Sequence, residues 1–253
     1  MSKKLTLSIA TGYHLNKNLS YEGQDTSASS SGMGDIIIFP KYDIYNETKG
    51  NIRSEITLGI GLKIPIGSHT DTMKIRNKWE LIPPTIQLSN RRTDLLFYSF
   101  FLREYKKQKI RLFAISLYIR KGYNSLDEKF GDYASLSLFL SKKIFRKWGL
   151  TTQLKGESIG QLQAKQSKLL DFISNEFEAI TFLEKQKSTG GKKLIFIPQI
   201  SYSKNKFTFF ATSEIPLYQN LNGVQFASQN QFTVGINYRF LTKECEPEFE
   251  LEK

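Results

Sequence analysis

Hydrophobic and polar residues alternate with a period of two along most of the chain. Segment 231–240 places aromatic and aliphatic residues at every second position, with polar residues or glycine between them. Segment 55–64 repeats the pattern with five aliphatic residues. A helix would spread both sets around its surface, whereas a β-strand separates them onto opposite faces. The alternation therefore predicts an all-β chain.

The same pattern predicts about ten long strands. Strands of soluble proteins average about 5–6 residues, whereas those predicted here have about ten or more, enough to cross a bilayer when tilted. The basic start and short apolar stretch at 5–10 fit a strand better than an export signal. If the protein is exported, we expect its signal and an upstream strand pair outside this chain, giving twelve strands in a full-length precursor. The predicted strands are 4–14, 35–47, 51–64, 85–104, 109–120, 132–142, 148–157, 192–203, 206–217 and 230–240.

The connections between these strands alternate between long and short. Bacterial outer-membrane barrels have long outer loops and short periplasmic turns. We therefore predict a transmembrane antiparallel up-and-down β-barrel over 1–240, with both ends in the periplasm. Residues 241–253 contain five glutamates and are predicted to form an acidic periplasmic tail. The long connections are 15–34, 65–84, 121–131, 158–191 and 218–229, and the short ones are 48–50, 105–108, 143–147 and 204–205.

One long connection carries a helical pattern. Apolar residues recur every three or four positions between Leu162 and Ile180, and Ser158 with Gln161 fits a capping pair. We predict a helical outer-loop segment at 158–186. It would either gate the mouth of the barrel or lie along its rim.

Charges on the polar faces decide which face should line a lumen. A ten-stranded interior holds mid-strand charges only if it is wet or if they are paired, and aromatic residues near strand ends resemble the girdles of membrane barrels. We therefore expect the apolar face to meet lipid. The predicted lumen residues are Glu55, Lys63, Arg120, Lys155 and Arg239.

The last strand ends in Tyr-Arg-Phe, which resembles the C-terminal assembly signal of outer-membrane barrels. Tyr238 and Phe240 are its candidate residues, and the outer-membrane assembly machinery would be the partner. The thirteen residues that follow depart from the usual pattern, in which the aromatic residue is terminal or nearly so.

Composition narrows the chemistry. The formal net charge is +12, but the basic residues gather at the predicted short turns and lie beside no nucleic-acid motif, so no nucleic-acid partner is expected. At the turns they would meet anionic headgroups or simply keep the turns soluble. One cysteine excludes an intramolecular disulfide, and two histidines leave little for catalysis or zinc binding. We expect no enzyme, metal or cofactor.

Four sequence blocks occur in order across 31–240, at 31–36, 59–67, 81–88 leading to Asp94, and 214–223. Their motif positions are Gly32, Gly34 and Asp35; Pro65 and Gly67; Pro83 and Pro84; and Pro216 and Gly223. Together the blocks resemble the bacterial outer-membrane β-barrel transporter family associated with the phenol meta-degradation pathway. At 89–94, however, the second glycine-rich turn expected of the family is missing, which puts in doubt any backbone contact there that needs a positive φ.

This resemblance implies passive or facilitated passage of small hydrophobic or aromatic solutes across the cell outer membrane, with the lipid bilayer and the solute as partners. The excess of Lys and Arg favours anionic or aromatic solutes over cations. Two alternatives stay open. One is a structural or adhesive outer-membrane barrel with a filled lumen, and the other is a soluble lipocalin-like ligand-binding barrel.

Overall fold

The computed structural model describes residues 4–20, 27–75, 78–81, 86–89, 91–124, 128–164 and 187–240. All fourteen elements among them are β-strands. No helix within these ranges is long and apolar enough to span a membrane. The ten strands of the main sheet are β1 (Leu5–Ser20), β2 (Ser27–Lys49), β3 (Ile52–Ile64), β6 (Asp94–Tyr105), β7 (Ile110–Arg120), β9 (Tyr133–Lys143), β10 (Trp148–Ile159), β12 (Gly191–Lys204), β13 (Phe207–Leu221) and β14 (Gln231–Tyr238). Two short pairs are β4 (Thr72–Ile75) with β5 (Lys78–Leu81), and β8 (Glu128–Lys129) with β11 (Gln163–Ala164).

Each main strand pairs with the next one along the chain. The order β1-β2-β3-β6-β7-β9-β10-β12-β13-β14 is antiparallel throughout. This confirms the prediction of about ten antiparallel strands in up-and-down order. The largest difference in bounds is at 85–104, where β6 begins only at Asp94.

The sheet is open, so the closed barrel that the pattern predicts is not formed. Within the described residues, no backbone pairing joins β1 to β14, which leaves two free edges. Short turns specify the pairing of strands that follow one another. Closure instead requires a matching tilt and stagger over the whole sheet, and no local pattern encodes it.

The two faces of the sheet differ in exposure, and several strands place their apolar side chains on the more exposed face. In β3, Ile56, Leu58, Ile60, Leu62 and Ile64 are 36–58% exposed, whereas Thr57, Gly59 and Gly61 between them are buried. β9 repeats this arrangement, with Leu136 and Leu138 exposed on either side of the buried Ser137. We call the face of Thr57 and Ser137 the inner face.

The inner face is not uniformly polar. Through the strand register, Phe113 and Ile115 of β7 lie on it beside Phe139 and Ser137. The rings of Phe113 and Phe139 stack 4.3 Å apart, and Phe39 contacts Tyr98 edge-on at 5.6 Å. Around β6, β7 and β9 the interior is therefore partly filled by aromatic and aliphatic side chains.

Candidate functional site

Three of the four sequence blocks converge on the inner face, at the end of the sheet where the long loops lie. Residues 86–89 and 91–94, here called the inward segment, form the end of the third block and the stretch that leads from it to Asp94. Ile86, Gln87, Leu88 and Ser89 are all buried. A Cβ at Gly32 would lie 3.1 Å from Leu88 Cδ1, and one at Gly67 would lie 3.1 Å from the Leu88 carbonyl oxygen. The glycines of the first two blocks thus let the inward segment approach the strands closely.

Ion pairs with little exposure to solvent join the same three blocks. Lys63 Nζ lies 2.9 Å from an Asp35 carboxylate oxygen and 3.0 Å from one of Asp94, and Arg92 Nε lies 3.1 Å from the other Asp94 oxygen. The side chains of Arg92 and Asp94 are 2% and 3% exposed. Two cations and two carboxylates balance, as buried charges require. We call these four residues the ion cluster.

The ion cluster is tied to the connection between β7 and β9. The Gly122 N–H donates to Asp94 at 3.3 Å, and the Arg92 guanidinium lies 4.4 Å from the centre of the Phe130 ring, a cation–π distance. Asp132 accepts hydrogen bonds from the Lys121 backbone N–H at 2.9 Å and from Tyr118 Oη at 3.1 Å. Two long loops are therefore fixed to each other over the inner face.

Burial and hydrogen bonds shift two pKa values in the loop between β7 and β9. Burial is the main cause that lowers the pKa of Lys121, and the nearby positive charges of Arg92 and Lys63 lower it further. The negative charges of Asp94 and Asp132 oppose this shift. Burial acts to raise the pKa of Asp132, but hydrogen bonds from the Lys121 N–H, Lys129 and Tyr118 outweigh it and lower that pKa. Asp132 therefore stays ionised at neutral pH.

Gln87 anchors the other end of the inward segment. Its Nε2 donates to the Asp71 carbonyl at 3.0 Å, and the Asp71 N–H donates back to Gln87 Oε1 at 3.3 Å. The Ser30 and Ser68 hydroxyls donate to the Asp71 carboxylate, and Lys17 Nζ donates to the Gln87 carbonyl at 3.1 Å. These contacts hold the inward segment against β1, β2 and the loop after β3.

The five predicted lumen residues divide into three groups. Glu55, Lys63 and Lys155 lie on the inner face, where Glu55 bonds Arg53 and Lys155 bonds Glu157, both at 2.6 Å. Arg120 pairs with Leu95 on the opposite, exposed face. Arg239 follows β14 and lies at the short-turn end.

Arg239 belongs to a concave cavity of about 650 Å³, here called the short-turn bowl. Strands from β6 to β12 and the residue after β14 all contribute to it, so the sheet curls strongly around its inner face. One carboxylate, from Glu104, lines the bowl, together with serines and Trp148. The basic residues that line it are Lys106, Lys109, Arg111, Lys142, Lys143, Arg146, Lys147 and Arg239.

The remaining predicted positions lie elsewhere. Pro65 follows β3, Pro216 pairs with Ile195, and Gly223, with φ 61°, packs on Ser188. Tyr238 and Phe240 are exposed, with ring centres 6.2 Å apart. Gly34 makes room for the ring of His14, 3.4 Å from where its Cβ would lie. Pro83, Pro84 and the tail 241–253 lie outside the described residues.

The predicted helical loop is only partly described. Ser158 belongs to β10 and residues 163–164 form β11, so the start of the predicted helix is extended backbone instead. Pairing with β9 and β12 continues to Ile159 and overrides the helical spacing there. Residues 165–186 lie outside the described residues, so the gating prediction is untested.

Sequence reasoning missed Arg92, Gln87, Lys121 and Asp132, because their roles depend on how two loops fold inward. One signal was present at 89–94, where the expected glycines are replaced by polar residues. Arg91 there adopts φ 50°, so the chain makes a left-handed turn without glycine. Within the described ranges, no group of three or more His, Cys, Asp or Glu side chains is arranged to hold a metal ion.

Neither a family model nor a curated protein matches this chain.

Proposed function

We propose that the chain forms an outer-membrane β-barrel for passive or facilitated passage of small solutes. The outward apolar face is the observation that carries this proposal. In β3 and β9, aliphatic side chains are exposed while small or polar ones between them are buried. Exposing such a face to water would be unfavourable, whereas lipid accommodates it.

Membrane insertion requires the two edges of the sheet to pair. Each unpaired backbone N–H or C=O group costs roughly several kcal/mol in hydrocarbon. A sheet therefore crosses a bilayer only when it is closed. The first and last strands are suited to closure, since β1 begins and β14 ends at the short-turn end. Strands β1 and β14 would then run antiparallel, and the bilayer would supply the driving force to join them.

A specific observation favours a second candidate, the structural barrel with a filled lumen. The inward segment is buried and bonded on both sides over the inner face, and aromatic rings fill part of the interior near β7 and β9. To conduct, the barrel needs a water-filled path beside these groups. Alternatively, such a path has to open when the ion pairs of the ion cluster break.

Reconstitution distinguishes the candidates. The protein, extracted in detergent, is placed in planar bilayers for measurement of conductance and reversal potential under a KCl gradient. We expect detergent-dependent extraction, heat-dependent mobility in SDS gels, and an anion-selective current because of the basic bowl. Cation selectivity would contradict the basic-bowl argument, and insertion without current would favour the filled barrel. A chain that stays soluble without detergent would favour the lipocalin-like alternative.

A further inference from the structure

The short-turn bowl combines a cavity with an excess of positive charge. Eight basic side chains and one carboxylate line about 650 Å³. The carboxylate of Glu104 is already paired with Arg111, Nε to oxygen 2.6 Å. In the described part of the chain, the bowl therefore carries seven further cations with no carboxylate among its lining residues. Such an arrangement attracts anions, most strongly multivalent ones.

The bowl faces the interior of the curled sheet. Through the register, Glu104, Arg111 and Ser141 lie in one row of the inner face, and Lys143, Gly149 and Ser201 lie in another. A ligand bound here would therefore lie on the axis of the proposed passage, at its short-turn mouth. Its volume falls within the roughly 300–1,000 Å³ of small-molecule sites.

One lysine of the bowl has a backbone conformation that is unfavourable for its residue type. Lys109 adopts φ 56°, in the left-handed region, where glycine or asparagine would fit with less strain. Its carbonyl accepts a hydrogen bond from the Lys143 N–H at 3.2 Å, which joins two of the basic hairpins.

We propose that the short-turn bowl binds small phosphate-bearing anions. Besides Arg111, which pairs with Glu104, Arg146 and Arg239 supply planar donors that bind phosphate oxygens in pairs, and the serine hydroxyls add neutral donors. Phosphate reaches such a site either as a free solute or as a lipid headgroup. Most of the lining residues placed by the strand register lie on the inner face, which favours the free solute. Lys142 and Trp148 lie on the outer face by the same register and border the bowl from there. This inference deepens the proposed function by naming a solute class, and rests on that function only for its biological role.

Binding is measured on the full chain in neutral detergent, at about 150 mM NaCl to screen weak surface attraction. A Trp79→Phe background leaves Trp148, which lines the bowl, as the single tryptophan, and its emission is excited selectively over that of the tyrosines. Inorganic tripolyphosphate is the soluble probe. Dihexanoyl phosphatidylglycerol and dihexanoyl phosphatidylcholine form the lipid arms. We expect saturable quenching by tripolyphosphate and none by the phosphatidylcholine.

A matched pair of variants tests the site. Lys143→Gln with Arg239→Gln removes two exposed cations of the bowl, and Lys187→Gln with Lys192→Gln removes two exposed cations at the opposite end. We expect the first pair to weaken tripolyphosphate binding at least tenfold and the second less than twofold. Equal losses in both, or no saturable binding in the unmodified chain, would overturn the proposal. Saturation by phosphatidylglycerol alone would overturn the assignment to a free solute.

This measurement needs no membrane. A chain that conducts in bilayers but does not bind tripolyphosphate would refute the phosphate site in the bowl and leave the proposed passage in place. A chain that binds but does not conduct would leave the bowl in place and refute the proposed passage.

Discussion

Lys63 lies between the buried carboxylate of Asp94 and the largely buried carboxylate of Asp35, and this position makes it the residue on which the ion cluster depends. When a cation with little solvent exposure is removed, the carboxylates that it paired with are left without a counter-charge. This costs far more free energy of unfolding than losing an exposed ion pair. The sequence places Lys63 on a polar strand face, but only the fold brings Asp35 and Asp94 to it.

Lys63→Met should lower the free energy of unfolding by about 3–5 kcal/mol. The reason is that the buried Asp94 and the largely buried Asp35 would then keep Arg92 as the one cation of the ion cluster. Urea titration in detergent micelles measures the change. The exposed Lys192→Met serves as control and should change stability by about 0.5 kcal/mol or less.

Adding Asp35→Asn to Lys63→Met should restore part of the loss, because Arg92 and Asp94 then balance. A Lys63→Met variant as stable as its control would show that the cluster contributes nothing.

Lys121 should give the fold a distinct pH dependence. Burial lowers its pKa below the ordinary 10.5, with Arg92 and Lys63 adding to the shift and Asp94 and Asp132 opposing it. The unfolded chain therefore binds more protons between the lowered pKa and 10.5, and stability rises with pH in that window. Lys121→Met should be more stable than the unmodified chain at pH 7, and the difference should shrink toward pH 10.5. Unfolding curves at both pH values test this, and a constant difference would contradict it.

At the scale of elements, β2 and β3 pack through glycine. A Cβ at Gly61 would lie 2.2 Å from Phe39 Cδ2 and 3.0 Å from the Ile38 carbonyl oxygen. The Phe39 ring, which also contacts Tyr98, thus lies directly over a strand position that has no side chain. The periodic pattern marks Gly59 and Gly61 as positions on the polar face but does not show what covers them.

Gly61→Ala should therefore lower stability by about 1–3 kcal/mol through overpacking. Gly156→Ala in β10 is the matched control, since its Cβ would meet nothing closer than 3.9 Å, and it should show no comparable loss.

In a Phe39→Leu background the cost of Gly61→Ala should be smaller, and a double-mutant cycle measures that coupling. Additive effects would show that Phe39 is not the obstacle.

At the scale of the whole molecule, closure of the sheet decides between an inserted barrel and an open, curled sheet. In β1, Ser8 shares the inner face with Phe39, and in β14, Thr233 and Asn237 share it with Thr212 and Thr208. If the bilayer joins the edges, cysteines on these inner-face positions of β1 and β14 come within disulfide range, for which Cα atoms lie about 4.4–6.8 Å apart.

In a Cys245→Ser background, at least one pairing of Ser8→Cys with Thr233→Cys or Asn237→Cys should cross-link after reconstitution, as a shift in non-reducing gels. Ser8→Cys with Thr151→Cys, on a strand far along the sheet, should not. No cross-link at any register of β1 against β14 would mean that the sheet stays open.

The sequence by itself determined the number, order and approximate bounds of the main strands, because period-two alternation and short turns are local properties that act between neighbouring segments. It also indicated which residues of β3 and β9 are exposed. Tertiary structure decided the rest. The inner-face position of Phe113, the outer-face position of Arg120, the inward path of 86–94 and the open edges depend on register, curvature and contacts between residues distant along the chain. Alternation alone separates two faces without saying which one is inside. The mid-strand charges Glu55 and Lys63 indicated the inner face of β3, whereas the curl of the whole sheet decides it for every strand.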